Sequence, residues 1–270
     1  MGHMMITKLL VPNRGEIAVR IARACREMGI ESVLAYVESD DTSYTRRFFD
    51  DAAPISSYLE VDACIDAARK SGADALHPGY GFLAERAELA AACEDAGIVF
   101  VGPKSSSIAA MGSKSESRHL MHRLGVPVVP GYDSEDQSDA TLAREAERIG
   151  LPLLIKPSAG GGGKGMKIVR DRGELQSSVE SARREAMKAF GNDRLLLERY
   201  IEQPRHVEFQ VFGGNDGEVI HLFERDCSIQ RRYQKIVEES PAPRYSDKLR
   251  QKMAKAAVLA AEGAISTFSR

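Results

Sequence analysis

The chain has 270 residues, enough for one large or two ordinary domains with a substantial core. Hydrophobic residues make up 43% and charged residues 28%, which excludes disordered, fibrous and membrane-embedded classes. With 37 Lys and Arg against 39 Asp and Glu, the formal charge of −2 supplies no global field for nucleic acid or an anionic membrane, so any anionic ligand has to be held locally. Cys25, Cys64, Cys93 and Cys227 form no C-x-x-C pair and are expected as reduced, buried thiols. No apolar run approaches membrane-spanning length and no leader pattern opens the chain, which gives an expected cytoplasmic location without nucleic-acid or membrane partners.

Residues 6–11, 33–37, 75–77 and 98–101 are short strand-like runs. Between them, 16–28, 61–70 and 85–96 carry helical periodicity that stops near Gly29, Gly72 and Gly97. This alternation predicts parallel βαβ units and hence an α/β, Rossmann-like region. Residues 105–125 read as helical connectors, and two prolines, Pro127 and Pro130, then predict a domain boundary. Beyond it, strands at 153–156, 167–169 and 195–198 with a long helix at 173–190 predict a small α+β module. Runs at 206–212 and 218–224 around a glycine-rich turn predict a hairpin that begins a third region.

Residues 159–166, AGGGGKGM, lie between two predicted strands, where successive glycine amides can cradle phosphate oxygens. An ordinary hairpin tip would use one or two glycines. Gly165 follows Lys164 where a Walker loop requires Ser or Thr, so the clamp is of another kind. Lys156, at the end of the preceding strand, can aim a fixed charge at the same phosphates.

His206, Glu208 and Gln210 alternate along a strand and so share one face, a pattern that any half-exposed sheet also produces. Residues 224–235 follow with four cations, Arg225, Arg231, Arg232 and Lys235, a concentration that suits an anion or a solvated loop. Asn13-Arg14-Gly15-Glu16 opens the first helix, where free amides attract anions, but one glycine is too few for a dinucleotide fingerprint and a structural role is expected. His77-Pro78-Gly79-Tyr80-Gly81 forms a bent loop at the carboxyl edge of the parallel sheet, for site lining or tight packing. His119, His122 and His221 lack partners at metal spacing, and no G-x-S-x-G elbow occurs.

Taken in order, the NRGEIA, HPGYGFL, GPK, GGGGKGM, ERYIE, RHVEFQV and ERDCSIQRR segments resemble the biotin carboxylase family of ATP-grasp enzymes, over essentially residues 5–262. The likeness is to the biotin carboxylase subunit or domain of acetyl-CoA, propionyl-CoA and pyruvate carboxylases. It implies a Rossmann-like pre-ATP-grasp domain at 5–125, an ATP-grasp lid at 126–202 and the truncated start of the C-terminal ATP-grasp subdomain at 203–270. The implied reaction is attack of bicarbonate on the ATP γ-phosphate to give carboxyphosphate, followed by carboxylation of the biotin ureido nitrogen. ATP, Mg²⁺ or Mn²⁺ and bicarbonate are the implied ligands, with biotin on a separate carrier protein or domain. A carboxyltransferase partner and a homodimer in the full-length form are also implied, with Arg20, Arg23 and Glu27 towards the other protomer.

Carried over by motif, Lys114 and Lys156 contact ATP phosphates, and Gly162 and Gly163 close over them. Met166, Glu198, Arg199, Tyr200 and Ile201 lie on the adenine side, His206 and Gln230 contact the nucleotide, and Lys235 binds bicarbonate. Tyr233 stands where the family has a nucleotide-contacting histidine, and Pro157 replaces a usual small residue after the phosphate lysine. The family's two metal-binding glutamates find no match here, since Ser269 follows Thr267-Phe268 where the first would stand. The resemblance therefore implies no metal ligand within these residues and negligible turnover by them alone. A carbamoyl-phosphate synthetase-like ligase shares the lid, but QRRYQK and HPGYGFL argue against it. A non-catalytic nucleotide-binding or dimerising fragment is the other alternative, distinguished by binding without turnover.

Overall fold

Consecutive residues of a strand buried on both faces must serve two cores at once, and the first strand of the chain does so. In the computed structural model, which describes residues 5–40, 42–112, 114–158, 165–214, 216–231 and 234–266, the chain divides into Met1–Gly112 and Ser113–Arg270. The first unit runs β1 (Lys8–Val11), α1 (Gly15–Met28), β2 (Glu31–Tyr36), β3 (Asp51–Pro54), α2 (Val61–Ser71), β4 (Ala75–Leu76), α3 (Ala87–Ala96), β5 (Val99–Phe100) and α4 (Ser105–Gly112). Its five strands are all parallel, in the order β3-β2-β1-β4-β5. Leu9 and Val11 pack with Ile17, Ile21 and Cys25 of α1, whereas Leu10 packs with Cys64 of α2 and Leu89 and Cys93 of α3. Helices thus cover both faces, as an all-parallel sheet requires. The glycines expected to stop the helices do so, Gly29, Gly72 and Gly97 having φ of 69°, 71° and 69°. The edge strand β3 is an addition to the sequence reading, because four residues with no fully buried side chain carry no strand periodicity.

The second unit runs α5 (Lys114–Arg123), β6 (Gly131–Tyr132), α6 (Asp139–Ile149), β7 (Leu153–Pro157), β8 (Lys167–Val169), α7 (Leu175–Phe190), β9 (Leu195–Arg199), β10 (Val207–Gly213), β11 (Val219–Arg231), β12 (Gln234–Glu239) and α8 (Asp247–Ser266). An antiparallel sheet, β6-β9-β7-β8, packs Leu153, Ile155, Leu195 and Leu197 against Leu142 and Ile149 of α6 and Val179 of α7. A second antiparallel sheet, β10-β11-β12, lies against α8. The division at Gly112 precedes the break expected at Pro127 and Pro130, because α5 is tied into the second unit by Arg118, which bonds the Val129 carbonyl at 2.5 Å and Glu198 of β9 at 3.1 Å. The expected hairpin exists but is longer, since β11 continues to Arg231 and β12 returns beside it, so most of the charge-rich run is strand rather than loop. Among the described residues no helix is long and apolar enough to cross a membrane.

Candidate active site

β7 buries Leu153, Ile155 and Pro157, so the alternating Lys156 lies on the other face of the sheet. Its ammonium donates to Oε2 of Glu198 on β9, while Nη1 of Arg118 donates to Oε1 of the same carboxylate at 3.1 Å. Arg118 and Glu198 side chains are each 14% exposed. One carboxylate held by two cations leaves a local excess of positive charge, an arrangement suited to an arriving phosphate. Beyond Pro157 the chain enters the glycine run, and Gly162 and Gly163 lie outside the described residues. Gly165 has φ +73°, and a Cβ on it would stand 3.0 Å from Cγ of Pro157. The unusual proline therefore fills space that only a glycine leaves open. Half-buried Met166 follows, leading into β8.

The remaining expected nucleotide residues divide. Arg199 Nε donates to the Ile149 carbonyl at 2.9 Å, so its guanidinium closes the end of α6 and does not join Lys156. The Tyr200 amide donates to the Pro152 carbonyl at 2.9 Å, and Arg170 lies 5.7 Å from the Tyr200 ring centroid. Ile201 is 47% exposed. Lys114 begins α5, and its side chain lies outside the described residues, as does Tyr233.

On the second sheet, the β11–β12 register sets Gln230 opposite Lys235. Gln230 Nε2 lies 2.6 Å from His206 Nδ1 and donates to the Cys227 carbonyl at 2.7 Å. Lys235 donates to Oε2 of Glu208, Arg225 donates to Oε1, and the other Arg225 amino group reaches Glu238 at 2.9 Å. Partial burial opposes ionisation of Glu208, but the Lys235 and Arg225 bonds hold its carboxyl below the usual range. The same carboxylate raises Lys235. Cys227 is buried beside this network, and burial together with the Glu208 charge pushes its thiol up. Gln210, two residues beyond Glu208 on β10, is exposed, and the extra residue at the register shift between Phe209 and Val211 belongs to β11 rather than to β10. Sequence reasoning missed Arg118 and Glu238 and counted Arg225 only as one of four cations, because which carboxylate each cation meets depends on how helix and strands pack.

In the first unit, buried Asn13 donates to the carbonyls of Pro78 at 2.7 Å and Tyr80 at 2.9 Å, and Tyr80 donates to Glu16 at 2.6 Å. A Cβ on Gly79 would lie 2.7 Å from Asn13 Nδ2. The two glycine-containing loops are thus one interlocked structure at the carboxyl ends of β1 and β4.

Glu208, Cys227 and Glu238 bring ligand atoms within 4.8 Å of one another. That set does not fit Mg²⁺, which takes oxygen ligands in octahedral array. One donor is a thiol, and both carboxylates are committed to Lys235 and Arg225.

Two family models cover most of the chain. Residues 5–108 match "Biotin carboxylase, N-terminal domain" and 113–265 match "Carbamoyl-phosphate synthase L chain, ATP binding domain", so the matches meet where the structure divides. The alpha chain of mitochondrial methylcrotonoyl-CoA carboxylase from Dictyostelium discoideum is 52% identical over 263 residues, covering 95% of this chain and 38% of that protein. A pyruvate carboxylase subunit from Methanothermobacter thermautotrophicus is 50% identical over 264 residues, covering 96% and 54%. The biotin carboxylase domain dimer of Hydrogenobacter thermophilus 2-oxoglutarate carboxylase, solved with MgADP, ADP and bicarbonate, aligns with TM-score 0.90 and 47% identity over 97% of this chain and 59% of that one. Campylobacter jejuni biotin carboxylase in a β,γ-ATP complex aligns with TM-score 0.92 and 41% identity over 97% and 60%. The chain therefore spans from 38% to 60% of the length of these relatives. The ATP-binding model is named for a different ligase, but the N-terminal model and all four relatives point one way: the chain belongs to the biotin carboxylase family of ATP-grasp proteins and corresponds to their N-terminal portion.

Proposed function

We propose that this chain is the nucleotide-handling portion of a biotin carboxylase, which uses ATP and bicarbonate to carboxylate biotin on a separate carrier. The observation that carries the reading is the cross-strand pairing of Gln230 with Lys235 and the contact of Gln230 with His206, which joins residues from three separate motifs on one sheet. Phosphoryl transfer to bicarbonate needs positioning and charge neutralisation more than covalent help from the protein. Lys156 exchanges the Glu198 carboxylate for a phosphate oxygen, while Arg118 keeps Glu198 paired. Lys235 commits one N–H to Glu208 and retains two for an anion, because an ammonium carries three donors.

Magnesium supplies charge neutralisation on the nucleotide when bound, and no donor set described in this chain is assigned to it. The MgADP and bicarbonate held by the 2-oxoglutarate carboxylase domain support ATP, magnesium and bicarbonate as ligands of the complete protein. Biotin, its carrier, a carboxyltransferase and a homodimer belong to the same proposal. The acyl acceptor, whether acetyl-CoA, propionyl-CoA, pyruvate or another, is chosen by the carboxyltransferase rather than here. Relatives 52%, 50% and 47% identical carry the names of three different acceptors.

Titrating ATP into the purified chain tests the nucleotide part, and absence of ATP affinity overturns it. Bicarbonate-dependent phosphate release, measured with free biotin, is expected only when the chain is extended to the length of its relatives, and Lys235→Ala abolishes it. Full turnover by these residues alone would contradict the expected dependence on carboxylates that they do not supply.

A further inference from the structure

The two cations on Glu198 are not equivalent. Arg118 is fixed at both ends of its guanidinium, with Nη1 on Oε1 of Glu198 at 3.1 Å and Nη2 on the Val129 carbonyl at 2.5 Å. Its side chain is as enclosed as that of Glu198. A Cβ on Gly131 would stand 3.0 Å from Nη2 of Arg118 and 3.1 Å from Cγ of Glu198, so the pair fills room that any side chain at this position would take. α5 is also moored to the same sheet a turn earlier, where Ser115 Oγ lies 3.4 Å from Ser158 Oγ. Lys156 is the looser partner: 25% exposed, it reaches Oε2 of Glu198 by a point charge on a flexible stem.

Glu198 therefore competes with an arriving phosphate for Lys156. A carboxylate paired with that lysine alone would hold it firmly and, once deserted, would face the phosphates as an enclosed, unpaired anion. Arg118 changes both balances. It cancels the carboxylate's charge, so the charge of Lys156 stands uncancelled, and it stays on Glu198 when Lys156 leaves.

We infer that Arg118 is a positioning residue for phosphate binding: it anchors and neutralises Glu198, which releases Lys156 to the nucleotide, and does not itself touch the nucleotide. The inference rests on the ATP reading of the same site and adds a residue that lies outside every motif carrying the family resemblance.

Calorimetric titration of ATP, ADP and adenosine into the purified 270-residue chain and its variants tests this. Arg118→Met is expected to weaken ATP about tenfold and ADP by less, with adenosine held within about twofold. Arg118→Gln, which can keep both hydrogen bonds but not the charge, shows the same loss and decides the matter if the methionine variant does not fold. Arg118→Lys, which restores a cation beside Glu198, recovers most of it. Adding Glu198→Gln to either neutral variant removes the competitor for Lys156 and returns the ratio of ATP to adenosine affinity to about its starting value. A direct contact of Arg118 with phosphate would leave that ratio low in the double variant, and a merely structural arginine would weaken all three ligands alike. Either result, or ATP affinity unchanged in both neutral variants, overturns the inference and leaves the ATP reading standing. Absence of ATP affinity in the unsubstituted chain overturns both.

Discussion

Lys235 and Arg225 grip opposite oxygens of the Glu208 carboxylate, so the residue proposed to receive bicarbonate is itself aimed by an acid two strands away. Glu208→Gln removes that hold and is expected to lower the Lys235 pKa, which is raised in the folded chain first by its bond to Glu208. Amine labelling of Lys235 against pH, read by peptide mass spectrometry, checks the direction. The linked stability follows from the two shifts. The raised lysine contributes fully below its unfolded value of about 10.4 and loses its contribution as pH rises through the folded value; the lowered glutamate contributes above about 4.3 and loses it as pH falls through the folded value. With Lys235 34% exposed, the plateau between them is roughly 0.5–1 kcal/mol.

Lys156→Gln is expected to cost ATP binding about 1.5–3 kcal/mol, the range for a charged hydrogen bond. ATP and ADP affinities fall roughly ten- to a hundredfold, while adenosine affinity stays near its starting value. Calorimetric titration of the three ligands decides this, and an equal loss for adenosine would place Lys156 away from the phosphates.

Glu224 is 1% exposed, and one of its oxygens takes Nε of Arg250 on α8 at 2.8 Å. Arg250→Met leaves a buried carboxylate without its cation, a change expected to cost roughly 3–5 kcal/mol. The double variant Glu224→Leu, Arg250→Met recovers most of that loss, because neither charge then remains to be desolvated. Denaturant midpoints of the two variants make the comparison.

Gly165→Ala forces a side chain into φ +73° against Pro157. The expected loss is about 1–2 kcal/mol. Pairing it with Pro157→Ala relieves the contact but not the backbone strain, so chemical denaturation should show partial recovery.

The elements that sequence periodicity revealed are those with a one-sided or fully buried burden: α1 with Ile17 and Ile21 inward, β1 with Leu9, Leu10 and Val11 all buried. β12 escaped because all six of its residues are exposed, so no buried alternation marked it and Lys235 read only as part of a charge-rich run suited to an anion or a solvated loop. Among the site residues, Lys156 and His206 announced themselves through motif and strand alternation. Glu198 was anticipated as an adenine-side residue, but its bond to Lys156 arises from β7–β9 register. The Gln230–Lys235 pairing likewise needs a register shift in β11–β12 that no linear pattern encodes.

All four thiols are buried and unpaired, and burial pushes Cys64 up to about 11 and Cys93 up to about 12. Thiolate is the reactive form, so alkylating reagents find little to modify while the fold is closed. Three of these sulfurs belong to the first unit and Cys227 alone to the second. The protein thereby carries its own clock for unfolding: the order in which the cysteine peptides gain mass under rising denaturant reports which half opens first, with no added label or engineered probe.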